Sequence, residues 1–138
     1  MFKKLIILAT MMPLLSFLAA GPAHAGKHDP IYTPEAIQVP AGKGREEVKK
    51  TIKKALFDKN WEMREIGPGH IQGMYTKPSK RGAYTAVIDI HYDANAIRIK
   101  YKDSENLNYN QDGNTIHGTY NKWVRNVEKD LRAGLGAY

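Results

Sequence analysis

Asp89 and His91 stand two apart and could share a proton or a metal ion. They lie in Tyr84-Thr-Ala86-Val-Ile88-Asp-Ile90-His-Tyr92, where apolar and polar residues alternate. That is the period of a strand with one buried face, so both side chains project from its other side. A metal there needs a third ligand. The next alternating arm, Ile97-Arg-Ile99-Lys-Tyr101, sets Arg98 and Lys100 beside them, where they repel a cation. HExxH, CxxC and dense carboxylate clusters are missing from the sequence. Neither a metal ion nor a cofactor is expected.

Nucleophilic catalysis needs a hydroxyl or thiol beside a base, with a third group to orient it. Ser79 and Ser104 have no G-x-S-x-G elbow around them. Gly42-Lys-Gly44 and Gly67-Pro-Gly69 read as turns, because the Lys-Ser/Thr pair of a phosphate loop does not follow them. The one enzyme arrangement open to this chain has His117 as a base near Asp103 or Ser104. Nothing in the spacing calls for it, so a non-catalytic protein is expected.

The most distinctive polar residues fall in two runs. The first is Tyr101-Lys-Asp103-Ser104-Glu-Asn106-Leu107-Asn-Tyr109. The second is Ile116-His117-Gly-Thr-Tyr120-Asn121-Lys-Trp123-Val124. On a helix, His117 and Asn121 share a face. One reading bonds them to Asp103, Ser104 and Asn106, locking the helix end onto the last strand. The other makes a small polar ligand pocket floored by Tyr101, Tyr109 and Tyr120.

Together the two runs, YxDSxNLxY and IHxxYNxWV, resemble a family of small exported bacterial proteins, many of them lipid-anchored, with no assigned activity. The resemblance extends from Val39 to Leu131. It implies that the first motif ends the last strand and that the second opens the last helix. It supplies no catalytic residues. The chain has no cysteine, so the lipid anchor of that family is not implied here.

A third candidate surface is basic. Arg45, Lys49, Lys50, Lys53 and Lys54 fill the outer side of a predicted helix and could meet anionic lipid or acidic polysaccharide. The plain alternative is a solvated helix face.

The elements that must hold these groups follow from pattern. Residues 1–25 read as a secretory signal: Lys3 and Lys4, an apolar run from Leu5 to Ala20, then Ala23-His24-Ala25 as the cleavage pattern. Export to the periplasm or beyond is therefore expected, with no membrane span after processing. Nucleic acid is not an expected partner there; an envelope protein, anionic lipid or polysaccharide is. Without Lys3 and Lys4, the remaining 113 residues carry 19 basic and 14 acidic side chains, a net of +5. That length suits a single domain over 37–138, preceded by a flexible lead over 26–36.

Ile37-Gln-Val39 predicts a short edge strand. Val48, Ile52, Ala55 and Leu56 predict a helix over 45–57, with Asn60 as a left-handed stop. Strands follow around Trp61–Arg64 and His70–Tyr75, the second with Ile71, Gly73 and Tyr75 inward. Residue parity in the central hairpin sets Tyr92 opposite Ile97, Ile90 opposite Ile99, His91 opposite Arg98 and Asp89 opposite Lys100. Residues 103–115 predict a loop in which Leu107 and Tyr109 tuck inward. Asn114 or Thr115 is expected to cap a last helix that ends at Gly134, with Leu135 to Tyr138 frayed. The class is α+β: an antiparallel sheet of four to five strands packed by helices, in the order β-α-β-β-β-β-α. The order resembles the helix-grip arrangement, as in the small domains of an outer-membrane assembly lipoprotein.

Overall fold

The computed structural model describes residues 26–137. The expected signal at 1–25, with its cleavage point at Ala25, lies outside them. The chain is an α+β protein with two helices and two antiparallel sheets. The larger sheet runs β2 (Ile37–Gln38), β6 (Ala96–Glu105), β5 (Tyr84–Tyr92), β4 (His70–Lys77), β3 (Glu62–Gly67). The smaller pairs β1 (Asp29–Pro30) with β7 (Thr115–Ile116), two strands the sequence did not signal. The helices are α1 (Arg45–Asp58) and α2 (Gly118–Leu135). Among the described residues no helix is long and apolar enough to cross a membrane.

The hairpin has the register that parity predicts, with all four cross-strand pairs as expected. Asp93 closes it. Its carboxylate accepts from the backbone N–H of Asn95 at 2.7 Å and of Ala96 at 2.9 Å. Those two donors hold the carboxyl below its ordinary value.

Burial of one sheet face drives the packing. Ile71, Ala86, Ile88, Ile90, Ile97 and Ile99 are all buried. Val48, Ile52 and Leu56 of α1 and Val124, Val127 and Leu131 of α2 close over them in one cluster. The C-terminal helix thus shares the cover with α1. Trp123 is half-buried and meets Tyr75 edge-on at 4.7 Å, and Tyr120 meets Tyr101 edge-on at 5.6 Å. So α2 reaches from β4 to β6. Asn60 stands at φ 62, the left-handed stop expected after α1.

Three expectations about α2 are corrected. Its N-cap is His117, since Thr115 and Ile116 are held in β7 and cannot start a helix. It runs through Gly134, where the missing side chain admits α1: a Cβ there would stand 2.9 Å from Thr51 Cγ2. Leu135 is buried, and the helix stops at left-handed Gly136, φ 69. Gly136→Ala is expected to cost about 1 kcal/mol in denaturant unfolding, because a Cβ is disfavoured at that φ.

The lead over 26–36, expected to be flexible, is bonded to the domain. Gly118 N–H donates to Gly26 C=O at 2.8 Å, and Ile31 N–H donates to Asn114 C=O at 3.0 Å. The Tyr32 hydroxyl donates to the Glu128 carboxylate at 2.9 Å, with Arg125 over its ring at 4.0 Å.

Candidate ligand-binding hollow

The hollow forms where β6 outruns its neighbour. On that side β2 pairs with β6 only at Ala96 and Ile97, so the far half of β6 is an edge. The strand continues to Glu105, past the loop start expected at Asp103. Its register shifts there: Ile88 pairs Tyr101, whereas Val87 pairs Asp103. Lys102 is the extra residue of a β-bulge. Without it, Tyr101 and Ser104 would face opposite sides. With it, both turn inward, and their hydroxyls bond at 2.9 Å.

The loop after β6 folds back onto this edge. Asn106 and Asn108 adopt left-handed φ of 58 and 53, a conformation asparagine tolerates better than most residues. Asn106 Nδ2 donates to Ala83 C=O at 2.7 Å, and His117 N–H donates to Leu107 C=O at 2.7 Å. Leu107 is buried, as expected. Tyr109 is not: it is 39% exposed and stacks on Tyr101, with ring centroids 4.2 Å apart and planes 25° apart. It lies over Tyr101 because Tyr120 already fills the space beneath.

The result is an open hollow of about 540 Å³ whose lining includes Tyr101, Asp103, Ser104, Asn106, Tyr109 and Gln111, with Lys102 also at its wall. Burial raises the Tyr101 hydroxyl pKa, with the Ser104 bond opposing, and raises that of Tyr120 much further. Both phenols stay neutral near neutral pH. The Asp103 carboxylate accepts from the Ser104 backbone N–H at 2.8 Å.

Tyr101, Asp103, Ser104, Asn106 and Tyr109 therefore lie together, with Tyr120 as the layer below. His117 and Asn121 are elsewhere, and the five-residue lock does not form. As N-cap, His117 is extended (φ −61, ψ 130), so the helical four-residue spacing to Asn121 does not apply. Its Nδ1 accepts from Thr119 N–H at 3.1 Å. It lines a separate, smaller hollow with Lys77, Tyr84, Leu107 and Thr119. Asn121, 6% exposed, turns to the lead instead. Its Oδ1 accepts from Tyr32 N–H at 2.8 Å, and its Nδ2 donates to Pro30 C=O at 2.9 Å. Gln111 is a lining residue the sequence did not single out. Its only signal was its place in the same polar loop.

The basic face of α1 is largely paired. Lys49 and Lys53 both reach Glu65 of β3, at 2.8 and 3.0 Å, and Lys54 reaches Asp58. Of the five expected residues, only Arg45 and Lys50 have no carboxylate partner among the described residues. The bonds from Lys49 and Lys53 lower the Glu65 pKa, and the Glu65 bond raises that of Lys49. A lowered carboxyl contributes stability above its unfolded value and loses it as pH falls through the folded one. The clip from α1 to β3 is thus present at neutral pH and lost on the acid side. Glu65→Gln is expected to flatten the acid limb of stability against pH in denaturant titrations.

Family models, curated proteins and solved structures each give no match to this chain.

Proposed function

We propose that this protein is an exported, non-catalytic binding or envelope-accessory domain whose Tyr101–Tyr109 hollow takes a polysaccharide segment in the periplasm. The exposed tyrosine stack carries this reading. A sugar ring offers an apolar C–H face and a rim of hydroxyls. The hollow offers an aromatic platform ringed by a carboxylate, a hydroxyl, side-chain amides and Lys102. Export rests on the leader pattern of residues 1–25 and on the resemblance to a family of exported proteins.

The arrangement favours binding over hydrolysis. A base at His117 would have to act on the same bound atom as Asp103 or Ser104, yet these line different hollows, with Leu107 bordering both. The lysine face is the weaker alternative, because Glu65 and Asp58 already engage three of its five cations.

Co-sedimentation with insoluble peptidoglycan and with an insoluble neutral polysaccharide tests the proposal. Binding is expected to survive high salt, which screens exposed charge contacts. Tyr109→Ala is expected to weaken it at least about tenfold, as truncating an aromatic anchor does. Full binding by Tyr109→Ala, or turnover of the polymer that His117→Ala abolishes in a folded protein, would overturn it.

A further inference from the structure

The sheet face away from the helices carries a second polar group. β4 and β5 pair with His70 opposite His91 and Gln72 opposite Asp89. The alternating partners Ile71 and Ile90 are fully buried, so His70, Asp89 and His91 all stand on the outer side. The two imidazoles stack with centroids 4.1 Å apart. His70 Nε2 lies 2.7 Å from Asp89 Oδ1. One ligand atom from each of the three falls within 4.8 Å of the others. The sequence placed Asp89 and His91 together but left them one ligand short, and the neighbouring strand supplies it.

We propose that His70, Asp89 and His91 form a site for a divalent transition-metal ion. Two imidazoles and one carboxylate are a nitrogen-rich, borderline set, which suits Zn²⁺, Ni²⁺ or Cu²⁺ and not Mg²⁺ or Ca²⁺. Ligand atoms about 2.1 Å from a tetrahedral ion stand roughly 3.4 Å apart. His70 Nε2 and Asp89 Oδ1, now 2.7 Å apart, open by roughly 0.7 Å, while the widest separation, within 4.8 Å, closes by at most about 1.4 Å. His91 is exposed and can supply that by side-chain rotation. The backbone beneath does not move, because the register is fixed by two paired strands over the core. The face is open to solvent, so water completes the coordination.

The opposing charge is part of the site. Arg98 pairs across from His91 and Lys100 from Asp89, and Arg64 donates to the neighbouring Gln72 at 3.3 Å. Arg98 and Lys100 are both exposed, and their long side chains leave room for water to screen the repulsion. They weaken the site without closing it.

Calorimetric titration of the full chain with Zn²⁺ at neutral pH tests the proposal, with Mg²⁺ as control. Saturable Zn²⁺ binding is expected, and none of Mg²⁺. His91→Gln and His70→Gln should each weaken Zn²⁺ at least about tenfold, since loss even of an outer-shell partner costs that much. His28→Gln and His117→Gln should leave it unchanged. Circular dichroism is the check that each variant is folded, and His91 is an exposed position. Arg98→Gln with Lys100→Gln should tighten binding severalfold, an effect that adventitious binding elsewhere would not show. Affinity weaker than about 1 mM, or affinity unchanged by His91→Gln, would overturn the proposal.

Discussion

Gly73→Val is expected to destabilise the protein by about 3 kcal/mol and to lower its melting temperature by about 10 °C or more. Gly73 sits on the inner face of β4, under both α1 and the chain that leaves it. A Cβ there would stand 3.2 Å from Leu56 Cδ2, 3.3 Å from Ile88 Cγ1 and 3.3 Å from Trp61 Cε3. Leu56 can yield by rotating. Trp61, only 4% exposed and in tilted contact with Tyr75, cannot, and Ile88 is fully buried. Valine adds two methyl groups beyond that Cβ, so α1 has to lift off the sheet. The gain in strand propensity, at most about 1 kcal/mol, does not offset this. Gly73→Ala should give a smaller loss of the same sign. Urea unfolding of the two variants checks the order, and an unchanged midpoint for Gly73→Val would mean that helix and strand are not in close contact there.

Asn121→Ala is expected to cost about 2 kcal/mol and to release the lead. The side chain bridges Tyr32 N–H and Pro30 C=O from inside the packed face of α2. Alanine leaves both backbone groups without that partner in a partly buried place. The loss should be local as well as global. Hydrogen exchange at Ile31 and Tyr32 should accelerate far more than in β5, and limited proteolysis should cut within 26–36 before anywhere else. Equal acceleration throughout the domain would show that Asn121 supports the core and not the lead.

Much of this fold was legible because alternation and parity are strict. Inward positions are even on β5 and odd on β6, so the hairpin register followed from the sequence together with a short loop. The helical stripe of Val48, Ile52, Ala55 and Leu56 was equally plain, and the α1 contact at Gly73 was readable as a gap in an inward row. The bulge at Lys102 was not. A single extra residue breaks no pattern that periodicity can detect, yet it decides that Ser104 faces Tyr101. The β4–β5 register was hidden for a related reason. Parity allows several offsets across the turn at residues 78–83, and only one of them sets His70 opposite His91. The lead looked mobile because its composition is polar. Its order comes from a buried asparagine about ninety residues away, which local sequence does not encode. The sequence pairs Asn121 with His117 as helical neighbours, and that fails once His117 is the cap.

The binding role of the hollow is tested most directly by ¹H–¹⁵N chemical-shift mapping during titration with a soluble peptidoglycan-derived oligosaccharide. Saturable shifts are predicted at Tyr101, Ser104, Asn106, Tyr109 and Gln111, small ones at His117, and loss of all of them in Tyr109→Ala. Shifts centred on Arg45 and Lys50 that vanish in salt, or a titration with no saturable change around Tyr109, would contradict it.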